Sequence, residues 1–382
     1  MKLPRMAVML MVRSTILLMA VKSYRDPVRA VRALKMLIRK RSALSGNSGL
    51  PSYFYGNGRY FLGPNVPGWP SSSFNRFIQN ELNNSLPFKK DHSRLTTIIF
   101  SITQKCPLRC LHCFEWDRLD KSETLKLSDI KNILHRFQVY GVSQVQLGGG
   151  EPMSRFDDMI DLLESADSAT DFWMLTSGYG LTLEKARLLK KSGLTGVRIS
   201  LDHWDKDKHN TFRGNVNSFE WAIAAAENCR KSGLAMGLSL CVTKEFLTND
   251  NLSEYLRFAG EIHAAFILIL EPRDTGHFKN MEVTLSEKEV NIIESFYFNT
   301  ISSDRYKKLP MVFYPGYHQR KIGCFGAGLR YLYIDSIGSV HACPFCQEKL
   351  GNSITDDLPE IIQKLRANGC HMFTTNEYSF AK

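Results

Sequence analysis

Three cysteines, Cys106, Cys110 and Cys113, fall within eight residues, separated by three and then two positions. Thiolates are soft ligands, and three so close together suit an iron–sulfur cluster or zinc. A closed structural zinc site takes a fourth Cys or His nearby, and His112, adjacent to Cys113, is awkwardly placed to reach the same ion. Three ligands on a four-iron cluster would instead leave one iron open, as a catalytic metal needs. A second group, Cys324, Cys343, Cys346 and Cys370, lies toward the C-terminus. Cys229 and Cys241 stand apart, on an expected helix and strand, and read as inert buried thiols. Nine cysteines, an odd count in a long chain with no secretory pattern, do not read as a disulfide framework; they point to metal in a reducing, cytoplasmic compartment.

Other polar clusters follow the first trio. Gly148-Gly149-Gly150-Glu151-Pro152 lets a backbone come close to a ligand, although an ordinary strand-to-helix turn has the same composition. Thr176-Ser177-Gly178 offers hydroxyls, or a turn. Ile199-Ser200-Leu201-Asp202 is followed by His209-Asn210 and Arg213-Gly214. Asp202 reads equally as a helix cap and as a catalytic carboxylate.

The elements that must position these groups alternate from residue 95. Strands are expected at 95–102, 142–147, 172–176, 197–201, 236–242 and 265–271, and helices at 127–139, 155–165, 183–192, 218–232, 252–262 and 285–301. Six βα units in succession predict an α/β fold, a partial (β/α)6 parallel barrel with right-handed crossovers. Chemistry then belongs at the C-terminal ends of the strands, where every motif above falls. The tail reads as a small cysteine-rich extension, a β-hairpin (331–334 and 339–342 around Asp335-Ser336-Ile337-Gly338), a helix at 358–367 and a polar end.

The motifs together resemble the radical S-adenosylmethionine superfamily over about residues 95–350. The carriers are the cysteine spacing, with an aromatic-type residue before the last cysteine, and Gly149-Gly150-Glu151 about forty residues later. The resemblance implies a [4Fe–4S] cluster on Cys106, Cys110 and Cys113, whose open iron is chelated by the amino and carboxylate groups of S-adenosylmethionine. Reductive cleavage would then give a 5′-deoxyadenosyl radical that abstracts a substrate hydrogen. It further implies that Gly149, Gly150 and Glu151 contact the methionine amino group, Ser177 the ribose, and Ser200 and Arg213 the ribose or carboxylate, an Arg fork suiting the latter. No residue beyond the cluster ligands is assigned a catalytic role. Peptide-modifying members carry Ser-Leu-Asp-Gly and a later His-Asp; this chain has His203 and Asn210 at the variable places, which leaves the subfamily open.

The tail spacing, thirteen residues from Cys324 to Gly338, four to Cys343 and two more to Cys346, resembles the auxiliary-cluster region named SPASM or its shorter relative, twitch. A full SPASM tail has seven cysteines for two clusters. Four here imply one auxiliary [4Fe–4S] cluster completed by Cys370, with a four-thiolate zinc site as the competitor because it needs the same ligands. By resemblance the substrate is a peptide or protein and the electron donor a flavodoxin or ferredoxin. Dehydrogenation of a small molecule is the alternative, and a non-catalytic iron–sulfur or zinc protein at a membrane is the reading from another class.

Charge places a further partner. Residues 1–41 hold eleven Lys/Arg against one acid, whereas the rest of the 382-residue chain is nearly balanced, 38 basic to 37 acidic. The body therefore gives no reason to expect nucleic acid. Residues 1–45 read as a basic amphipathic arm: apolar stretches at 6–12 and 16–21, each too short to span a bilayer, then Asp26-Pro27 opening a helix with Val28, Val31, Leu34 and Ile38 on one face. That helix suits an anionic membrane surface or packing on the body, so the chain is expected in the cytoplasm, peripheral at the membrane in the first case. Residues 46–92 read as a Gly/Pro/aromatic-rich linker, 93–305 as the barrel and 306–382 as the auxiliary region. Within the linker, Tyr60, Phe61 and Trp69 read as cover for a substrate site or as a hydrophobic anchor, and a short helix is expected at 73–82.

Overall fold

The computed structural model describes residues 3–45, 53–88, 95–370 and 372–373. The edges of the Gly/Pro-rich segment (46–52 and 89–94) and the polar end (374–382) lie outside the described residues.

Helix α1 (Arg5–Tyr24) and helix α2 (Pro27–Ser45) form a hairpin. Arg25 closes α1 in the left-handed conformation, and the Asp26 carboxylate accepts from the Val28 and Arg29 amides at 2.8 and 3.3 Å, capping α2 as its sequence implies. The two apolar stretches are one continuous helix of 20 residues, because Arg13-Ser14-Thr15 breaks the hydropathy without breaking helical backbone. By length and composition α1 could cross a membrane. One side of it is covered: Val8, Val12 and Ala20 pack with Ala30, Ala33 and the aromatic residues of α3 (Ser72–Ser85), and the Tyr24 hydroxyl donates to the carbonyls of Leu82 and Leu86.

Between the helices, β1 (Phe54–Gly56) and β2 (Arg59–Phe61) pair around Asn57-Gly58, both left-handed, the turn that two-residue hairpins favour. Phe54 and Phe61 stack at 4.9 Å and enter a cluster with Trp173, Ala235, Phe266 and Leu268. Those four are inward positions on barrel strands, so Phe61 is an anchor that plugs the barrel, and Tyr60 and Trp69 belong to the helical cluster on α3. Arg59 pairs with buried Asp171 at 2.6 Å, and Asp171 also accepts from Ser73 and the Gly68 amide at 2.6 and 3.0 Å.

The barrel runs β3 (Thr97–Ser101), α4 (Leu127–Val139), β4 (Gln144–Gly148), α5 (Phe156–Glu164), β5 (Asp171–Thr176), α6 (Leu183–Ser192), β6 (Leu194–Ser200), α7 (Lys206–Arg213), α8 (Ser218–Ser232), β7 (Ala235–Cys241), α9 (Asn249–Glu261), β8 (Phe266–Leu270) and α10 (Glu287–Ser302). Beyond it lie β9 (Met311–Phe313), α11 (Pro315–Ile322), β10 (Tyr331–Ile334), β11 (Ser339–His341), β12 (Gly351–Asn352) and α12 (Leu358–Asn368). The sheet order is β12-β11-β10-β3-β4-β5-β6-β7-β8-β9. The six expected strands, β3 to β8, are parallel neighbours, and the sheet stays open at β9 and β12, a partial barrel. Its outward residues, among them Ile98, Phe100, Leu147, Met174, Val197 and Ile199, are fully buried under the helices.

The structure adds to the expected tail. Its hairpin, β10 with β11, is joined to the barrel: β10 lies parallel beside β3, Leu332 opposite Ile98. Strand β9 likewise extends the other edge against β8. Helix α7, absent from the expected series, is capped by Asp205, whose carboxylate accepts from the Lys208 amide at 2.9 Å.

Candidate active site

The cysteine loop leaves the end of β3 and is clamped from two sides. The Arg109 and Leu111 amides donate to the carbonyls of Arg213 and Phe212 at the end of α7, 3.1 and 3.0 Å away, and His112 stacks on Phe212. From the segment after β8, the His277 amide donates to Cys113 O at 2.9 Å, its Nδ1 lies 3.0 Å from Cys110 O, and its ring stacks on Trp116 at 3.7 Å. Gly276 permits that approach; a Cβ there would sit 2.1 Å from Cys113 O. Cys110 is buried, Cys106 and Cys113 half-buried, and all three line a chamber of about 190 Å³ at the C-terminal mouth of the barrel. Burial pushes the Cys106 thiol up to about 12 and those of Cys110 and Cys113 upward as well. Burial thus favours the neutral thiols, and a cationic metal centre among them would favour the thiolates instead.

The glycine run faces this loop. Gly150 N donates to Thr103 O at 2.9 Å and Glu151 N to Lys105 O at 2.7 Å. Gly149 holds φ +135° and its Cβ would fall 2.5 Å from Thr103 O; a Cβ on Gly150 would fall 2.3 Å from Lys105 O. The close approach that the glycines permit is thus to the backbone carrying the cysteines. Glu151, fully buried, accepts from Thr176 Oγ1 at 2.6 Å, from Ser177 Oγ and N at 2.6 and 2.8 Å, and from Met153 N at 3.2 Å. Its carboxylate ties the end of β4 to the end of β5, and the Ser177 hydroxyl is spent in that tie. Gly149, Gly150, Glu151 and Ser177 all line the chamber, so what they present to it is chiefly main chain.

Across the chamber stand Ser200, Asp202 and Arg213. Arg213 Nη2 lies 2.5 Å from Asp202 Oδ2, and its Nη1 lies 3.6 Å from Cys110 Sγ. Asp202 also accepts from the Cys241 amide at 2.9 Å, and the cap of α7 is Asp205 instead. Burial works against the Asp202 carboxylate, but Arg213, His112 and His209 outweigh it and hold its pKa below the usual range. Cys241, expected to be inert, lines the chamber at the end of β7, whereas Cys229 is buried in α8 away from it. Arg198, which the sequence reading passed over, also lines the chamber; it sits two residues before Ser200 and hence on the same face of β6.

The tail cysteines form a second wall. Hairpin pairing brings Cys343 toward Cys324, with Ala327 N donating to Ala342 O at 2.9 Å, and α12 returns Cys370 to the same place. Cys343 Sγ lies 3.3 Å from Cys346 Sγ, Cys324 contacts Cys370, and Cys370 contacts Cys346. All four border a cavity of about 710 Å³ that runs into the barrel. Among the described residues no three His, Cys, Asp or Glu side chains are already arranged around a single metal ion. The two cysteine loops are linked: Phe114 meets Tyr333 and Phe345 edge-on, Tyr333 donates to Glu115, and Arg118 reaches Asp335 at 3.2 Å and Gln347 at 3.3 Å.

Residues 100–259 match the model of the Radical SAM superfamily. A probable GTP 3′,8-cyclase of Pyrococcus abyssi is 31% identical over 176 residues, 46% of this chain and 56% of that protein, so the chain spans little more than half of this relative. The mycofactocin maturase MftC of Mycolicibacterium smegmatis is 27% identical over 271 residues, 68% of this chain and 67% of that protein. In fold the chain is similar to Streptococcus suis SuiB bound to precursor peptide SuiA (TM-score 0.59, 17% identity, 75% of this chain and 69% of that one). It is similar also to anSMEcpe with bound AdoMet (TM-score 0.56, 17% identity, 74% and 85%). The chain carries a radical SAM domain, whose cofactors are a [4Fe–4S] cluster and S-adenosylmethionine. The donor set fits them: three thiols on one loop, at a chamber edged by glycine backbone and a guanidinium.

Proposed function

We propose that this chain is a radical SAM enzyme that modifies a peptide or protein, with Cys106, Cys110 and Cys113 holding the catalytic cluster and Cys324, Cys343, Cys346 and Cys370 an auxiliary one. The observation that carries this reading is the shared wall between chamber and cavity. Ile99, Phe114, Leu175, Leu270 and Phe345 line both, with the charged Arg198, Glu271 and Arg273, so a substrate in the cavity lies between the two cysteine groups. When bound, the cluster and S-adenosylmethionine supply the hydrogen-abstracting radical; the protein's part is orientation and exclusion of side reactions. Arg213, held charged by Asp202, is one cation available to a carboxylate in the chamber. The apolar members of the common wall, Ile99, Phe114, Leu175, Leu270 and Phe345, limit water beside a reactive carbon centre. Similarity to a maturase and to a peptide-bound structure supports a peptide substrate. Likeness to a GTP cyclase favours a second reading, a small-molecule substrate, and the closed floor of the cavity suits it.

Two partners belong to the same proposal. One is a small one-electron carrier of the flavodoxin or ferredoxin kind, needed to reduce the catalytic cluster. The other is an anionic membrane surface on the cytoplasmic side. Helix α1 exposes Met6, Leu10 and Leu18 at 77, 66 and 69%, and the next helix, α2, carries the basic residues Arg29, Arg32, Lys35 and Arg39.

The test is anaerobic reconstitution followed by reductant and S-adenosylmethionine. Formation of 5′-deoxyadenosine is expected, and its absence sinks the enzymatic reading in favour of a non-catalytic metal protein. Alanine at Cys106, Cys110 and Cys113 abolishes product, whereas alanine at Cys324 and Cys343 leaves one cluster visible by EPR. Unchanged iron in the tail variant would mean zinc or nothing in the second site.

A further inference from the structure

Arg198 is a guanidinium without an acid. It projects from the middle of β6 into the barrel; its Nε is shielded and unpaired, and its one hydrogen bond is from Nη2 to Gln146 Oε1 at 3.3 Å. The surface it keeps borders the chamber and the cavity. Among the described residues every carboxylate in the same walls is already engaged. Glu151 is held by Thr176 and Ser177, and Asp202 by Arg213. Glu271 is held by Arg320 at 2.7 Å and Arg273 at 3.3 Å, Glu115 by Tyr333 and Arg118, and Glu348 accepts from Asn368 Nδ2 at 2.7 Å. Burial lowers the Arg198 pKa to about 10 with no opposing charge, and a buried cation left so is unfavourable unless something else meets it.

The surroundings say what would meet it. Below Arg198 the barrel is closed: Trp173 lies over Gly196, whose Cβ would fall 2.7 Å from that ring, and Phe54, Phe61 and Phe266 fill the space beneath. Beside it, Gln146 is fixed by Asn65 at 2.8 Å and Gln144 at 3.1 Å, an amide ladder that ends on Pro64 O. Above it the cavity is walled by Ile99, Leu175, Leu268 and Leu270. A polar floor with one cation, apolar walls and no exit below accept a chain end rather than a chain passing through.

We propose that Arg198 anchors a terminal carboxylate of the substrate, whose remaining atoms near the site are apolar, so that the substrate enters the cavity end-on and acid first. The proposal rests on the reading of this cavity as the substrate site of a radical SAM enzyme. A peptide with a C-terminal or side-chain carboxylate meets the requirement, as does a small organic acid. The competing source of the carboxylate is the methionine end of S-adenosylmethionine in the adjoining chamber.

The experiment uses anaerobically reconstituted protein, wild type and Arg198→Met, with hexanoate and neutral hexanamide as probes. Hexanoate raises the wild-type Tm by about 2–3 °C at roughly ten to a hundred times its Kd, while hexanamide does not. Arg198→Met melts above the wild type without probe and responds to neither. Equal shifts from the two probes, no shift from hexanoate, or a hexanoate shift retained in the variant overturns the proposal. Equilibrium dialysis of S-adenosylmethionine separates the sources: an affinity within about twofold of wild type leaves the carboxylate to the substrate, and a tenfold loss overturns the proposal in favour of the cofactor. Should Arg198→Met fail to fold, Arg198→Gln takes its place in every arm. The thermal shifts need no turnover, so absence of 5′-deoxyadenosine would sink the enzymatic reading and leave the carboxylate result standing.

Discussion

Three consecutive glycines allow a sharp test of what the run does. At Gly148 a Cβ would come no nearer than 3.7 Å to Leu175, in open contact, whereas at Gly150 it would meet Lys105 O at 2.3 Å and Cys106 Cβ at 3.1 Å. Gly150→Ala therefore drives the glycine run and the cysteine loop apart by about 1 Å, an overpacking strain of about 1–3 kcal/mol. Two backbone hydrogen bonds span the same gap, Gly150 N to Thr103 O and Glu151 N to Lys105 O. Losing both in a buried place adds about 1–3 kcal/mol each, for a total near 3–9 kcal/mol. With about 0.8 kcal/mol per degree for a chain of this length, Tm falls by about 4–11 °C. The displaced loop carries Cys106, so iron bound by the trio should be lost with it. Gly148→Ala should keep both iron content and stability within about 0.5 kcal/mol of wild type. The assay is iron per chain and Tm on reconstituted protein, with the triple cysteine-to-alanine variant as the floor. Were the glycines there only to admit a ligand, Gly150→Ala would keep full iron and an unchanged Tm while weakening S-adenosylmethionine; that result refutes the docking role.

Tyr333→Phe leaves the buried Glu115 carboxyl without its hydroxyl donor and should cost about 1–3 kcal/mol in denaturant unfolding, while Tyr306→Phe, at a half-buried position where the ring is kept, changes nothing measurable. The Asp335 carboxylate is opposed by burial but held below its usual pKa by His341, the Ser339 amide and Arg118. A depressed acid contributes stability that is complete above the unfolded pKa of about 3.9 and disappears as pH falls through the lower folded value. The Tm gap between wild type and Asp335→Asn in metal-free protein should therefore be constant from about pH 7 to 5 and shrink only below about pH 4; a gap that closes at higher pH contradicts the assignment. Leu10→Asp with Leu18→Asp, both on the exposed side of α1, should abolish flotation with anionic vesicles and leave Tm unchanged, since neither residue packs inside. Deleting the two helices would be a poorer test, because it strips the cover from Phe74, Phe77 and Leu82.

The cysteine groups and the six βα units were legible because each is a local pattern: ligand spacing fixed along the chain, or hydrophobic period along one element. What the chain does across itself was not. Glu151 reads in sequence as a cofactor contact, and only the packing of β4 against β5 shows its carboxylate spent on Thr176 and Ser177, 25 and 26 residues away. Asp202 reads equally as a cap and as a catalytic carboxylate; Asp205 takes the cap, and Asp202 turns inward to Arg213. Arg198 could have been found from its period-two relation to Ser200. The Asn57-Gly58 turn was an available signal for the hairpin that plugs the barrel. Nothing local announces that β10 joins β3.

That last pairing has a consequence for biosynthesis. The Thr96 hydroxyl bonds Arg330 O across 234 residues of sequence, so β3, apolar and carrying the cysteine loop at its end, waits for its outer neighbour until nearly the whole chain exists. At ordinary translation rates that is about 10–50 s during which one side of β3 offers unpaired amides and carbonyls to any passing strand. A nascent chain stalled before residue 331 would be a sticky-edged sheet with its metal ligands already exposed. The tail thereby serves the first cysteine loop as its last structural requirement, because the strand that carries it is paired on both sides only once β10 exists.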